Sequence, residues 1–248
     1  MLPNYYSSLE PFRETFRTGS PILTYHKLGP RPAQARLKGM YLKQGLFEDQ
    51  MREFKDAAFQ TVSLSDVVAP VQGSGNRITI TFDDGFRNVL EYGVQPLSRC
   101  GFRAIQFLLP DLLGQTNEWE QAEGEAPEPL MDEAAVRDWL AAGHEIGSHT
   151  CTHPWLTRIP VEQAREEITA SGKKLEDRFQ VPVRHFCYPY GDCNEVVRDL
   201  VIQAGYETAC TTESGINPPD LNPHALKRFT ARYASRNLKA VWQRLTAG

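Results

Sequence analysis

Short β-prone runs alternate with amphipathic helical segments about eight times along this chain, and that alternation constrains its architecture more than any other feature. Strands are expected over 21–26, 59–62, 77–82, 103–109, 145–148, 184–188, 207–210 and 226–229, and helices over 46–54, 89–100, 132–142, 161–179, 194–204 and 237–245. A helix between two strands returns the chain to start a parallel neighbour, so the repetition predicts a parallel α/β barrel. With 248 residues, 41% of them hydrophobic, the chain can fill one such core. One domain over 1–248 is expected, with a short N-terminal arm over 1–20 whose amphipathic segment closes on Gly19.

The totals exclude some partners. Lys and Arg number 27 against 31 Asp and Glu, a net charge of −4, so no nucleic acid and no polybasic membrane contact is expected. Met1-Leu2-Pro3-Asn4-Tyr5-Tyr6-Ser7-Ser8 lacks the positive start and apolar run of a secretion signal, and no later stretch reaches the length of a membrane span. The expected location is therefore cytoplasmic. Cys100, Cys151, Cys187, Cys193 and Cys210 form an odd set without a C-x-x-C pair, which predicts reduced thiols.

The chemistry concentrates at Thr79-Ile80-Thr81-Phe82-Asp83-Asp84-Gly85, a strand that stops on two carboxylates and a glycine. Successive strand side chains point to opposite faces, so Asp83 and Asp84 are expected to do different jobs. Their mutual repulsion predicts a cation nearby. Further on, His149 and His153 stand four residues apart, a spacing that puts both rings on one face of a helical turn before Pro154 ends it. Two imidazoles and one carboxylate, with Asp84 as the candidate third ligand, make a three-ligand site with open positions of the kind catalytic zinc and related divalent metals use. Cys151, between the histidines, is expected to point away from their shared face.

The stretches TFDDG (81–85), HEIGSHTCTH (144–153) and RHFCYPYG (184–191) resemble, in order and separation, the first three signature motifs of the polysaccharide deacetylases, the NodB-homology carbohydrate esterases. The resemblance covers roughly residues 20–230. It implies a distorted, incomplete TIM-like (β/α)7 barrel with chemistry at the C-terminal ends of the strands, where His26, Asp83, Asp84, His149 and the 188–191 stretch all fall. It implies metal-dependent removal of N-acetyl groups from an N-acetylhexosamine-containing glycan or precursor. The ion would be Zn2+ first, with Co2+, Ni2+ and Fe2+ also compatible with an Asp-His-His set. By the same resemblance Asp83 is the general base, and the backbone N–H of Tyr190 helps bind the oxyanion. Cys187 and Tyr188 stand where the commoner motif has arginine and proline, a departure that points to the poly-N-acetylglucosamine branch, with its aromatic-Pro-Tyr-Gly form.

The general acid has two candidates. No good copy of the family's Leu-x-His motif is present, but Leu23-Thr24-Tyr25-His26 resembles the relocated motif of the poly-N-acetylglucosamine branch, which favours His26 over His224. Arg184 either orients a carboxylate behind the site or pairs on the surface, and Arg228 either reaches into the cleft to hold Asp83 or forms a structural salt bridge. The acidic stretch over 114–129 reads as a loop beside the cleft, with Trp119 stacking on a sugar ring, or as a solvated insertion. His144 and His185 read as hydrogen-bonded packing residues. Two other functions compete: the same barrel acting on another amide or acetyl ester, and a carbohydrate-binding barrel without catalysis. Retention of Asp83 and His26 beside the metal set counts against the latter.

Overall fold

The computed structural model describes residues 2–3, 5–69, 75–121, 124–218 and 220–233; the helix expected over 237–245 lies outside these. Seven parallel strands form a curled sheet: β1 (Ile22–Tyr25), β2 (Arg77–Phe82), β3 (Ile105–Leu108), β4 (Glu145–Ser148), β5 (His185–Cys187), β6 (Thr208–Cys210) and β7 (Phe229–Thr230). Their order is β7-β1-β2-β3-β4-β5-β6, and Gln60–Thr61 adds a short parallel strand beside the start of β2. This is the incomplete barrel expected. Strands β1, β3, β5 and β6 are buried along their whole length, as parallel strands covered on both faces must be. Leu226, just ahead of β7, bridges to Cys210, and Phe229–Thr230 then pairs with β1, so one short segment touches both edges of the sheet.

Five longer helices return the chain: α1 (Gln44–Asp56), α2 (Arg87–Cys100), α3 (Glu133–Ala141), α4 (Val161–Phe179) and α5 (Glu195–Gln203). Their positions follow from apolar spacing and caps. Phe47, Met51 and Phe54 line one face of α1 and are fully buried. Asp132 and Asn194 cap α3 and α5 by accepting the N–H groups of Ala135 and Val197. Gly101 closes α2 with φ +71°, a conformation that costs glycine little. Between helices and sheet, Tyr25, Phe47, Phe82 and Trp139 meet edge-on or tilted at centroid distances of 5.1–5.9 Å. Burying each such ring contributes on the order of 2–3 kcal/mol. Near the N-terminus, Tyr6, Phe12 and Phe16 are fully buried and pack on Phe54 and Phe229.

Three stretches differ from expectation. Residues 27–39, which fall in no expected strand or helix, begin with a strand, Lys27–Leu28, that pairs with Tyr41–Leu42. The acidic 114–129 stretch contains a helical turn, Glu118–Gln121, and buries Asn117, Glu120 and Glu125, because each finds a polar partner that outweighs its hydration. The pair His149 and His153 does not lie on a helical turn. Thr150 and His153 have φ of +69° and +67°, and this left-handed turn brings the rings together instead.

Candidate active site

The strand ends converge at one mouth of the barrel. His26 follows β1, Asp83 and Asp84 follow β2, His149 follows β4, and Tyr188 and Tyr190 follow β5. They line a pocket of about 300 Å³ whose walls include Leu37, Met40, Trp119, Trp155 and Thr212.

Asp83 and Asp84 diverge as the strand pattern predicts. Asp83 still belongs to the sheet, its N–H donating to Tyr25 O at 3.0 Å. Its carboxylate is gripped by Arg228, with Nη1 to Oδ1 at 2.8 Å and Nη2 to Oδ2 at 2.7 Å. Arg228 is 1% exposed and also donates to Thr81 Oγ1 and Thr211 O. Burial works to raise the Asp83 pKa, but the Arg228 charge and hydrogen bonds outweigh it and hold the carboxyl below its ordinary value. Thr24 Oγ1 donates to Asp83 Oδ2 at 3.3 Å, and His26 Nε2 stands 3.8 Å from the same oxygen. Burial outweighs the two aspartates at His26 and lowers its pKa.

Asp84 leaves the strand with φ +72° and Gly85 with φ +75°, so the second carboxylate swings to the opposite side. Its Oδ1 lies 3.2 Å from His149 Nε2 and 3.3 Å from His153 Nε2. Burial pushes the Asp84 pKa up, but the two imidazoles carry it well below the carboxylate range. His149 Nδ1 is 2.7 Å from the carbonyl oxygen of Cys187, which can only accept. Nδ1 therefore carries the proton, and the Nε2 lone pair is turned toward a carboxylate oxygen. Two electron-rich atoms in that position require a cation between them, an added proton or a metal ion. The ligand atoms of Asp84, His149 and His153 all lie within 4.8 Å of one another, a spacing that one divalent ion fits. Asp83, His149 and Cys187 form a second group of this spacing, but Arg228 already neutralises Asp83 there.

The left-handed turn from His149 to His153 is held by a residue that composition and spacing did not single out. Glu167, on α4, accepts from Cys151 N, Thr152 N and Thr152 Oγ1 at 2.8, 3.0 and 2.6 Å. Thr150 Oγ1 accepts from His153 N–H. The His153 ring then packs between Trp119 at 4.6 Å and Tyr190 at 4.5 Å. Cys151 points away, toward Lys174 Nζ. Of six non-glycine residues with positive φ among the described residues, Ala58 and Gln180 simply end helices, whereas Asp84, Thr150, His153 and Tyr190 all belong to this site. Backbone strain of this kind costs about 1–3 kcal/mol per residue and persists where surrounding contacts over-determine it.

Tyr190, at φ +59°, is stacked flat on Trp155, 4.0 Å away with an interplanar angle of 2°, and the Arg158 guanidinium covers the other face of Trp155. Tyr188 is buried and donates its hydroxyl to His224 O. His224 itself lies outside the pocket, its Nε2 against Tyr206 O. Arg184 precedes β5 at the opposite end of the barrel and pairs with Glu207 at 3.5 Å on the surface. His185 meets Thr208 Oγ1, whereas His144 has both ring nitrogens buried without a hydrogen-bond partner among the described residues and lies tilted against Trp139. Lys27 and Glu120, which pair at 2.6 Å in the wall, carried no readable sequence signal, because 93 residues separate them.

Comparison with known proteins places this geometry in a family. The polysaccharide deacetylase family model matches residues 71–209. The chain is 24% identical over 212 residues to YxkH of Bacillus subtilis, covering 84% of this chain and 70% of that protein. It is 26% identical over 136 residues to the peptidoglycan-N-acetylglucosamine deacetylase PgdA of Listeria monocytogenes, covering 53% of this chain but only 25% of PgdA. Among solved structures, the Streptococcus pyogenes deacetylase PplD in complex with acetate has the same fold, with a TM-score of 0.76, 19% identity, and 91% and 97% of the two chains covered. IcaB from Ammonifex degensii superposes with a TM-score of 0.73 at 18% identity, covering 93% and 96%. The chain belongs to the polysaccharide deacetylase family, and it is a hydrolase of amide-linked acetyl groups.

Proposed function

We propose that the protein removes N-acetyl groups from an N-acetylhexosamine-containing glycan or precursor, using one divalent ion, Zn2+ first, held by Asp84, His149 and His153. The observation that carries this reading is the convergence of Asp84 Oδ1, His149 Nε2 and His153 Nε2 beside a second, separately neutralised carboxylate. The ion, when bound, supplies Lewis acidity that polarises the acetyl carbonyl and acidifies a water.

The remaining steps fall to the chain's own groups. Asp83 takes the proton of the attacking water. Its lowered pKa keeps it ionised, and Oδ1 retains a lone pair beyond the one Arg228 uses, whereas Oδ2 accepts from both Arg228 and Thr24. The backbone N–H of Tyr190 donates to the developing oxyanion, with the Trp155 stack holding the residue in its left-handed conformation. His26, whose Nε2 stands 3.8 Å from Asp83 Oδ2, gives a proton to the departing amine. Trp119 and Tyr188 present aromatic surface to the sugar. Arg184 and His224, both remote from the pocket, are left without a role in it.

The test is acetate release from tri-N-acetylchitotriose by zinc-loaded protein, with acetylxylan and a small cyclic amide assayed alongside. Release from the chito-oligosaccharide, lost on Asp83→Asn, supports the reading. Equal rates for Asp83→Asn and the unmutated protein, or turnover of only the ester or the cyclic amide, overturn it.

A further inference from the structure

One buried charge pair in the pocket wall is used by no step above. Lys27 follows His26 directly and is fully buried, its Nζ 4.9 Å from the Tyr41 ring centroid and 4.5 Å from that of Phe86. It bonds Glu120 Oε2 at 2.6 Å. Asn117 Nδ2 donates to the same oxygen at 2.5 Å. Among the described residues Glu120 Oε1 accepts no hydrogen bond, although Glu120 is only 5% exposed and lines the pocket that holds Asp84, His153 and Trp119. Oε1 is not among the buried unpaired side-chain atoms, so it is open to the pocket that Glu120 lines. Lys27 and Asn117 both hold Oε2, which leaves Oε1 for a donor in the cleft.

We infer that Glu120 is a substrate-specificity residue whose Oε1 accepts a hydrogen bond from a free hydroxyl of the bound sugar, next to the acetamido group being hydrolysed. The inference rests on the glycan deacetylase reading and narrows its substrate class. Lys27 neutralises Glu120, and Arg228 neutralises Asp83, so the pocket accepts an uncharged hydroxyl without an uncompensated charge. A carboxylate or phosphate substituent in the same place would face the Glu120 oxygen in a pocket that Asp84 also lines. The preferred substrate is thus a neutral hexosamine with that hydroxyl unsubstituted. Trp119, adjacent in sequence and stacked on His153, fixes the helical turn that carries Glu120.

The experiment measures binding by calorimetry and acetate release in parallel. Zinc-loaded protein is titrated with tri-N-acetylchitotriose and with versions lacking the 3-hydroxyls, the 6-hydroxyls or the terminal 4-hydroxyl. Glu120→Gln, in which Lys27 and Asn117 retain the amide oxygen and the amide NH2 faces the cleft, should weaken Kd for the parent about ten- to a hundredfold. It should leave Kd for one of the three deoxy sugars unchanged. Because Glu120→Gln leaves a buried Lys27 without its counter-charge, Lys27→Met/Glu120→Leu is measured as well, and the same single-analogue pattern is expected. A penalty under twofold, or one equal across all four sugars in both variants, overturns the assignment. If the pattern holds but no acetate is released, the Glu120 assignment stands and the deacetylase reading falls. If acetate is released with a flat pattern, the reverse is true, and if no sugar binds, both fail.

Discussion

Replacing Arg228 with leucine tests whether the protein depends on a guanidinium inside the barrel. The substitution leaves Asp83, 3% exposed, without the two short bonds that neutralise it. A buried, unpaired carboxyl has its pKa raised by up to about 3–5 units, so the Asp83 pKa moves from below its ordinary value to above it. At pH 7 the folded chain must then protonate the group or keep an uncompensated charge. Linkage puts the cost at about 1.4 kcal/mol for each unit of that rise, or roughly 4 kcal/mol for a rise of about three units. That agrees with the roughly 3–5 kcal/mol that breaking a buried pair costs. The sign of the pH dependence is diagnostic. In the unmutated protein the Asp83 pKa is depressed, so its contribution is present above pH 3.8 and is lost only as pH falls through the folded value. In Arg228→Leu the folded form binds the extra proton, so the variant loses stability as pH rises from about 4 to 7. Urea unfolding at pH 5 and pH 7 measures both terms. The deficit at pH 7 should exceed that at pH 5 by about 2–3 kcal/mol, and Arg228→Leu/Asp83→Asn should abolish the difference. A deficit below about 1 kcal/mol, or one that does not change with pH, would refute the electrostatic account.

Other outcomes follow from the same contacts. His153→Ala should cut zinc retained after gel filtration by more than the roughly 100-fold that loss of a supporting contact brings, and metal content equal to that of the unmutated protein would rule out its role as a ligand. Glu167→Gln removes the carboxylate that holds Cys151 and Thr152. It should weaken zinc affinity about 10–100-fold while leaving all three ligands in place, as read by competition with a chromogenic chelator. Burial pushes the pKa of both His144 and His185 down to about 4. The unfolded chain therefore takes protons that the folded chain refuses below pH 6.5, and stability should fall as pH drops from 6.5 toward 4, by up to about 1.4 kcal/mol per unit for each histidine. His144→Phe should flatten that slope by one proton in urea midpoints measured across the range, and an unchanged slope would contradict the assignment.

The sequence carried the site's chemistry further than its geometry. The strand that ends in Asp83-Asp84-Gly85 was legible because period-two alternation survives to its last residue and separates two adjacent carboxylates. His149 and His153 were legible as partners, but not the way they meet. Spacing of four suggests a helix, whereas positive φ at Thr150 and His153, held by a carboxylate from α4, produces the same convergence through tertiary contacts that no local pattern encodes. The acidic 114–129 stretch had two open readings, a loop beside the cleft or a solvated insertion, because composition counts charges without their partners; Trp119 and Glu120 line the pocket. Glu125 is buried because it accepts from Arg36 N and Leu37 N, some 88 positions away. Arg184 illustrates the opposite limit. It flanks a motif in sequence, yet lies at the far end of a strand whose other end carries the site. Arg228 had two open readings, and its grip on Asp83 is a contact across 145 positions.

That last span has a bearing on biosynthesis. The three side chains proposed to hold the ion are all synthesised by residue 153, but Arg228, whose guanidinium keeps Asp83 ionised, comes immediately before β7, near the end of the described residues. On the proposed reading, a nascent or prematurely terminated polypeptide can own the whole ligand set while Asp83 lacks the guanidinium that keeps it ionised. Assembly of the proposed site therefore waits on the docking of a two-residue strand at the edge of the sheet.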